Sequence, residues 1–505
     1  MPWSKTGTLT PGRVTRFRNI ASRSNSNSNP DVGPEGLPTV QNAFYRTTRR
    51  VLGGASGVDS LKLVLGNFYT RQWERGEQPG PNAITVRASI EYPAGAWRRV
   101  SNSFAYAASQ AYVVGDQVTY NGNAYVCTRD TTAGTVPTNQ AYWTQVQRVQ
   151  VTWPEQGENN TVTVPGGETD ANVPAPVVYS DPVTLPVPLQ PGQKMAINLA
   201  VGTGSSTGKV CPGDVLLPVG DLYLPYGASP PAPGSADDVV TQWPTTQTPG
   251  GTTWVTPMVM PVAVLGETSK PCTYLLGDSI VDGHQDVGVL GDTNSWGPRA
   301  LDGYLWEKSG RAGGWAAFVW RDSDGVTELT NYLYRLDDIA ARCEIAITAF
   351  GTNEIADPTT TLQSFKDMLF VLWRRLAEKG CRVWQTTITP QTTSTDGWAT
   401  TTGQAKPTEG GFSGTTTLYS QVQAWLAEGA PYVINGITVA AGQSGHPLVG
   451  VLDLATAVID PATGWKWKAA HTDDGVHPNG TGYDAMAAQL RSLLPQVEAD
   501  FTMSR

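Results

Sequence analysis

Hydrophobic and polar positions alternate with period two through much of the first half of the chain. The runs with this strand-like character are residues 61–65, 84–90, 161–164, 183–189 and 195–201. Period two places the apolar side chains on one face of a β-strand. Glycine and proline clusters separate the runs, so the pattern over residues 40–260 predicts an antiparallel β-sandwich of the jelly-roll kind.

The period of the pattern changes after residue 261. Strand-like runs at 273–276, 344–350 and 382–388 alternate with stretches in which apolar residues recur every three or four positions. One helical stretch covers residues 362–376 and another covers 483–494. Alternating strands and helices predict a parallel sheet with helices on both faces over residues 261–505, and such sheets carry their functional residues at the carboxyl ends of the strands.

The chain has two polar stretches outside these patterns. Residues 1–39 are turn-rich and include a low-complexity Ser/Asn repeat at 22–29, which predicts a flexible amino-terminal arm. Residues 226–260 are rich in Pro, Gly and Thr and predict a long crossing loop. The chain is therefore expected to contain the arm (1–39), the sandwich (40–260) and the α/β domain (261–505).

Residues 104–146 interrupt the sandwich pattern with a high density of aromatic side chains. Asn121-Gly122 lies between two strand-like runs, which is a strong signal for a tight β-hairpin. The segment resembles the small carbohydrate-binding module of families 5 and 12, found on chitinases and phage tail proteins. The resemblance lies in residues 111–118 and 120–127 and in the closing Trp143, whereas Phe104 stands where that family usually has an exposed Trp.

That resemblance implies that this inserted module binds sugar rings on flat aromatic faces. The candidate sugar-binding residues are Phe104, Tyr112, Tyr120, Tyr142 and Trp143. The alternative interpretation is that these rings form the core of a very small domain.

Composition narrows the classes of function. The formal net charge is −9, and the one basic cluster, at residues 46–50, is interpreted as a solvated strand end, so nucleic acid is not an expected partner. No apolar stretch approaches the about 18 residues that a membrane span needs, and no apolar segment follows Met1 to predict a signal peptide. The five scattered cysteines contain no Cys-x-x-Cys pair, so neither a metal site nor a disulfide framework is expected.

Candidate chemistry begins at Ser279, which follows an apolar run ending in Gly277-Asp278. This is the position of a strand's carboxyl end, followed by a helix whose first N–H groups favour negative charge. A serine hydroxyl needs a neighbouring base to become a nucleophile. His477, with Asp474 three residues before it, supplies a base and a group to orient it. The alternative is that Asp474 belongs to an ordinary turn and His477 to an ordinary loop.

Two further positions are candidates for stabilising a developing oxyanion. Asn353 directly follows the strand-like run 344–350, so its side-chain amide is expected at the same edge of the sheet. A turn asparagine is the alternative. Gly313 lies in a glycine-rich loop and offers a backbone N–H, although alone it is an ordinary loop glycine.

Taken in order, these stretches resemble the four blocks of the SGNH (GDSL) hydrolase family across residues 265–500. The matching segments are Gly277-Asp278-Ser279-Ile280, Gly313, Gly351-Thr352-Asn353-Glu354 and Asp474-Gly475-Val476-His477. The resemblance implies a three-layer α/β/α sandwich with a five-stranded parallel sheet and no cofactor. It also implies a catalytic triad of Ser279, His477 and Asp474, and an oxyanion hole formed by the Ser279 and Gly313 N–H groups and the Asn353 side chain.

Two departures from the family pattern stand out. Glu354 occupies a position where Asp is usual. No Asn precedes Gly313, so Gly310 and Gly314 remain alternative oxyanion donors.

The sequence predicts a serine esterase that removes acyl groups, O-acetyl groups above all, from a polysaccharide. A virion or cell-surface adhesion protein, whose hydrolase fold only binds glycan, is the second prediction. The sandwich resembles the β-domain preceding some bacterial and phage-encoded members of the family, so an esterase mounted on a phage tail, in contact with tail proteins and acting outside the cell, would satisfy both. A lipase or thioesterase ranks lowest because no lipid-facing lid is visible. The acyl group, the sugar and the oligomeric state are left open.

Overall fold

The structure is a computed structural model of the chain. The residues it describes are 16–21, 28–29, 37, 39–55, 57–71, 77–101, 103–153, 160–166, 177–211, 222–226, 240, 261–286, 294–310, 320–321, 327–328 and 334–503. Residues 22–27 of the predicted flexible repeat and most of the predicted crossing loop at 226–260 lie outside this set.

The amino-terminal part is built from β-strands. They are β1 (Arg16–Asn19), β2 (Ser28–Asn29), β3 (Asn42–Arg50), β4 (Val58–Gly66), β5 (Phe68–Arg71), β6 (Glu77–Pro79), β7 (Ile84–Tyr92), β8 (Ala96–Trp97), β9 (Asp116–Tyr120), β10 (Asn123–Cys127), β11 (Trp143–Gln145), β12 (Gln147–Gln150), β13 (Thr161–Val164), β14 (Val177–Tyr179), β15 (Val183–Leu189), β16 (Lys194–Gly202), β17 (Leu222–Tyr226) and β18 (Ala263–Thr268).

Two antiparallel sheets account for most of these strands. One has the order β1-β18-β4-β14, with β15 also paired to β4. The other has the order β12-β7-β16-β3-β17, with β13 also paired to β7. Leu61, Leu63 and Leu65 of β4 enter one common core with Val86 and Ile90 of β7. The predicted period-two alternation is thus present in both strands.

Residues 16–21 are more ordered than the composition of the amino-terminal segment suggests. Strand β1 pairs antiparallel with β18, Arg16 opposite Thr268, and Ile20 and Ala21 are fully buried. The prediction of a flexible arm is therefore wrong for residues 16–21, and the sandwich extends to Thr268 instead of 260. A single short strand that pairs with a distant partner leaves no periodic pattern in a polar segment.

The basic cluster at 46–50 is not a solvated strand end. Strand β3 lies between β16 and β17, and Arg46 is fully buried with its guanidinium 3.1 Å from a Glu91 carboxylate oxygen. Burial opposes ionisation of Glu91, but Arg46 and Arg148 outweigh it and lower the pKa of Glu91 to about 2. Arg49 is buried as well, whereas Arg50 is partly exposed. The interpretation as a solvated strand end is therefore corrected for Arg46 and Arg49.

The inserted module forms its own sheet with the order β11-β10-β9-β8. Strands β9 and β10 form the predicted hairpin, with Tyr120 opposite Asn123. Asn121 and Gly122 both have positive φ, 49° and 76°. This backbone matches the twist of the flanking strands and explains why Asn-Gly occupies the turn.

The carboxyl-terminal part alternates strands and helices. Its elements are β19 (Cys272–Gly277), α1 (Ser279–Asp282), α2 (Trp296–Ala300), β20 (Leu305–Gly310), β21 (Trp320–Arg321), β22 (Thr327–Glu328), α3 (Tyr334–Arg342), β23 (Ile345–Ala349), α4 (Thr352–Ala356), α5 (Leu362–Glu378), β24 (Arg382–Thr386), β25 (Thr393–Ser394), β26 (Gln404–Ala405), α6 (Leu418–Ala427), β27 (Tyr432–Ile434), β28 (Ile437–Val439), β29 (Leu448–Leu452) and α7 (Gly480–Met503).

Five of these strands form one sheet with the order β20-β19-β23-β24-β29. Every neighbouring pair is parallel, as the sequence predicted. Gly277, the last residue of β19, lies opposite Gly310 of β20 and Ala349 of β23. The segments that follow β19 and β23 therefore leave the same edge of the sheet, and this edge is where the candidate residues meet.

Candidate active site

Ser279 is presented at the carboxyl end of β19 by a tight turn into α1. A carboxylate oxygen of Asp278 accepts a hydrogen bond from the Ile280 N–H at 2.9 Å and so caps the short helix. A Cβ added to Gly277 would lie 2.4 Å from Cγ2 of Val281. Glycine before the cap and a capping aspartate thus both favour this turn, which agrees with the Gly-Asp-Ser order.

Three side chains from distant parts of the chain form one hydrogen-bonded row. Ser279 Oγ lies 2.7 Å from His477 Nε2. His477 Nδ1 lies 2.7 Å from Asp474 Oδ2. These distances are those of a nucleophile, a base and the group that orients the base. The structure therefore brings together the three residues predicted as a triad.

The turn that carries Asp474 and His477 is held by its own hydrogen bonds. Asp474 Oδ1 accepts from the backbone N–H groups of Val476 and His477, each at 2.8 Å. Burial opposes the charged form of Asp474, but the His477 ring and these N–H groups outweigh it and hold the pKa of Asp474 below its usual range. Asp474 is consequently an anion at neutral pH.

Asn353 lies at the edge of the sheet next to Ser279. It is in α4, which directly follows β23, the neighbour of β19. Gly351 before it has a φ of 147°, and a Cβ there would lie 2.5 Å from Cδ1 of Ile388. Asn353 is half-buried, and its side-chain amide has no hydrogen-bond partner among the described residues. The amide is therefore available to a ligand.

Glu354, the departure from the usual Asp, is buried and not solvent-facing. Burial first, and the nearby Asp278 carboxylate second, raise the pKa of Glu354 to about 8. Its Oε2 atom has no hydrogen-bond partner within the described part of the chain. Glu354 therefore retains its proton at neutral pH and supports the loop below Asn353 without contributing a charge to the site.

Three glycines, Gly310, Gly313 and Gly314, are candidates for the glycine N–H donor of the oxyanion hole. Gly313 and Gly314 lie outside the described residues. Gly310 ends β20, opposite Gly277, so its backbone reaches the same edge of the sheet as Ser279. The three glycines therefore remain alternatives.

The aromatic candidates of the inserted module divide into two groups. Phe104, Tyr112 and Trp143 are each about 1% exposed. Phe104 packs against Trp97, and the Tyr112 and Trp143 rings meet with centroids 5.2 Å apart. A domain this small has few other residues with which to form a core, so these three rings are used for packing. This corrects their interpretation as sugar-stacking faces.

Tyr120 and Tyr142 are half-buried and retain part of their ring surface. The Arg129 guanidinium lies 5.5 Å from the centroid of the Tyr142 ring. The rings that remain candidates for sugar binding are these two.

One neighbour of the triad was missed by sequence reasoning. The His284 and His477 rings meet edge to face with their centroids 4.4 Å apart. His284 follows Ser279 by five positions, just after α1 ends at Gly283. That proximity in sequence was the only available signal, because no motif marks the position.

The described residues contain no group of three or more His, Cys, Asp or Glu side chains arranged to hold a metal ion. Within the same residues, no helix is long and apolar enough to span a membrane. The five cysteines are buried free thiols.

Comparisons with known proteins fit this geometry. Residues 274–490 match the family model described as GDSL-like Lipase/Acylhydrolase. No curated protein matches the chain.

Several solved structures are similar to part of the chain. A GDSL-like lipase from Bacteroides thetaiotaomicron is 14% identical with a TM-score of 0.27, over 45% of this chain and 88% of that one. An acetyl xylan esterase, AlAXEase, is 16% identical with a TM-score of 0.28, over 44% and 98%. A carbohydrate esterase of family 3 from Talaromyces cellulolyticus is 16% identical with a TM-score of 0.26, over 46% and 99%. At these TM-scores, structural similarity does not support an inference about activity. The inference of ester hydrolysis rests on the family model and on the geometry of the site.

Proposed function

We propose a mechanism from the premise that residues 274–490 form a GDSL-like lipase/acylhydrolase domain, which is a hydrolase of carboxylic esters. In this mechanism Ser279 is the nucleophile, His477 the general base and Asp474 the residue that orients it. The observation that carries the proposal is the row of two 2.7 Å hydrogen bonds joining the three side chains.

Acylation begins when Ser279 Oγ attacks the carbonyl carbon of an ester. His477 Nε2 takes the hydroxyl proton as the new C–O bond forms, and Asp474 stabilises the imidazolium. His477 then returns that proton to the leaving alkoxide, which departs as an alcohol. The acyl group remains on Ser279 as an ester.

The negative charge of the tetrahedral intermediate needs donors at the carboxyl edge of the sheet. We propose that the backbone N–H of Ser279 and the side-chain amide of Asn353 supply two of them, and one of the glycines 310, 313 or 314 a third. Donors that are already in place cost no reorganisation when the charge develops. Water, deprotonated by His477, then attacks the acyl carbon. The bond from that carbon to Ser279 Oγ breaks, His477 returns the proton to Ser279 Oγ, and the carboxylic acid leaves.

The substrate we propose is an acylated polysaccharide, with O-acetyl as the leading acyl group. The support is the inserted module, whose hairpin and aromatic content resemble sugar-binding modules and which retains Tyr120 and Tyr142 at its surface. Mounting on a phage tail is the proposed setting, and extracellular action follows from it. The α/β/α layering remains a prediction from the resemblance, and the jelly-roll form of the sandwich remains a prediction from the pattern of short strands.

A glycan-binding adhesion protein with an inactive hydrolase fold is the second candidate. Only the module favours it. The intact triad argues against it, because a protein that only binds has no need of a serine, histidine and aspartate in hydrogen-bonding register.

The test is Ser279→Ala in the full chain. We expect hydrolysis of p-nitrophenyl acetate and release of acetate from acetylated polysaccharides to fall to the uncatalysed level, while the circular dichroism spectrum and melting temperature remain those of the wild type. Ser492→Ala is the matched control, because Ser492 is a surface serine on α7 whose hydroxyl, in the described part of the chain, bonds only within its own helix. Undiminished turnover by Ser279→Ala would overturn the proposal. Retention of glycans without any hydrolysis by the wild type would favour adhesion.

A further inference from the structure

Trp398 lies in a segment that belongs to none of the four sequence blocks. It is in the loop joining β25 to β26, which pair antiparallel as a short hairpin. Its φ is 60°, a left-handed conformation that is disfavoured for a residue with a Cβ. Strained backbone of this kind persists only where the surroundings hold it, and it clusters at functional sites.

The surroundings of Trp398 hold both its backbone and its ring. The Ser394 hydroxyl accepts from the Trp398 N–H at 2.9 Å, and the Trp398 carbonyl accepts from the Ala470 N–H at 2.9 Å. The indole Nε1–H donates to Thr392 Oγ1 at 2.9 Å. The ring is therefore fixed in position as well as the main chain.

Asp396 organises the loop from within. Its carboxylate accepts hydrogen bonds from the Ser394 hydroxyl at 2.7 Å and from the Thr400 hydroxyl at 2.6 Å. It also accepts from the Thr400 N–H at 3.1 Å. The loop that carries Trp398 is thus held in one conformation by these hydrogen bonds.

The fixed ring lies against the turn that carries the base of the triad. Gly475 follows Asp474 and has a φ of 77°, and a Cβ there would lie 2.6 Å from Cζ2 of Trp398 and 2.0 Å from the Thr392 carbonyl oxygen. The Gly475 carbonyl accepts from the Thr392 N–H and from Trp467 Nε1–H, both at 3.0 Å. The middle of the catalytic turn is therefore enclosed by the hairpin and by Trp467.

We propose that Trp398 is a positioning residue for the reaction. Its ring forms a wall against Gly475, so that Asp474 and His477, on either side of that glycine, stay in register with each other and with Ser279. The proposal rests on the hydrolase function proposed above. It assigns Trp398 an effect on the chemical step and not on the binding of the acylated substrate.

Steady-state kinetics of Trp398→Ala with p-nitrophenyl acetate test this assignment. We expect kcat to fall by about 10- to 100-fold, because small misplacement of a catalytic group costs about this much, while KM changes by less than about 2-fold. Trp398→Phe keeps an aromatic ring in the hairpin but loses the indole hydrogen bond and the Cζ2 side of the ring that lies nearest Gly475, so its kcat should lie between those of the wild type and Trp398→Ala. Trp465→Ala is the control, since Trp465 is half-buried nearby but its ring is flanked by Lys406 and Lys466.

Wild-type kcat in Trp398→Ala would overturn the assignment. So would a loss confined to KM on acetylated polysaccharide, which would mean that Trp398 contacts the substrate. If Trp398→Ala does not fold, Trp398→Leu keeps an apolar side chain in the hairpin but has no ring to reach Gly475, and wild-type kcat in that variant overturns the proposal equally. Failure here is distinct from failure of the hydrolase function, because Ser279→Ala tests the latter independently of Trp398.

Discussion

The ring of His284 packs edge to face on the ring of His477, with centroids 4.4 Å apart. The backbone of His284 is held on both sides: its N–H donates to the Ser279 carbonyl at 3.0 Å, and its carbonyl accepts from the Tyr483 hydroxyl at 2.9 Å. Tyr483 is fully buried in α7. The nucleophile's turn and the last helix thus both hold a second imidazole against the base.

We expect His284→Ala to lower kcat by about 2- to 10-fold, because an aromatic pair of this kind contributes about 0.5–1.5 kcal/mol to holding the base in place. His284→Phe retains a ring at the same position and should retain most of the activity. The two variants are compared in steady-state turnover of p-nitrophenyl acetate at neutral pH. Equal losses in both would show that the imidazole itself, and not the packing of its ring, is what the site requires.

Asp474→Asn removes the charge that orients His477 while keeping the size of the side chain. We expect kcat to fall by about 10³- to 10⁴-fold, since an amide neither stabilises the imidazolium nor holds the productive tautomer. Asp473→Asn is the matched control, because Asp473 is the adjacent carboxylate and, among the described residues, bonds only the Asn479 side chain. A comparable loss in both variants would point to a general disturbance of the turn instead of a specific role for Asp474.

Asn353→Ala tests the side-chain donor of the oxyanion hole. A lost donor costs about 10²- to 10³-fold in kcat, and KM should change little because the ground-state carbonyl carries little charge. Asn353→Asp places a negative charge beside the developing oxyanion and should be at least as damaging. Wild-type kcat in Asn353→Ala would show that Asn353 does not stabilise the oxyanion.

Glu354→Gln is predicted to change the pH dependence of stability. The pKa of Glu354 is raised to about 8 in the folded protein, against an ordinary value of 4.5. Below pH 4.5 the group is protonated in both the folded and the unfolded chain and costs nothing. Between pH 4.5 and 8 only the unfolded chain ionises, so Glu354 increasingly destabilises the fold, at about 1.4 kcal/mol per pKa unit of difference.

Glutamine removes this penalty, so the variant should gain stability relative to the wild type as pH rises from 4.5 to 8, on the order of a few kcal/mol in all. Urea unfolding at pH 4.5, 6 and 8 measures the gain. Glu378→Gln, an exposed position on α5, should show no such trend. A stability difference that does not depend on pH would refute the buried, neutral state of Glu354.

Sequence reasoning succeeded where an energetic requirement is local. The turn at Asp278 and Ser279, after the carboxyl end of β19, could be predicted because a buried strand, a helix cap and a nucleophile are consecutive in the chain. The parallel sheet could be predicted because hydrophobic residues recur with different periods in strands and in helices. In the same way, Asn121-Gly122 predicted the hairpin, because the turn needs positive φ at two successive residues.

Sequence reasoning failed where burial depends on partners far away in the chain. Nothing local distinguishes a buried Arg46 from an exposed one, since its partner Glu91 is on another strand. The same holds for residues 16–21, whose partner is β18, and for Phe104, whose packing partner Trp97 precedes the module.

The sequence by itself determined the identity and order of the reacting groups, because each depends on its immediate neighbours for backbone geometry. Only the tertiary structure decided that Ser279 and His477, 198 positions apart, meet at 2.7 Å, and that His284 and Trp398 lie against the base and its turn. Contacts of this kind depend on how parallel strands align their ends and how loops pack across them. These are properties of the whole fold that no short segment of the chain encodes.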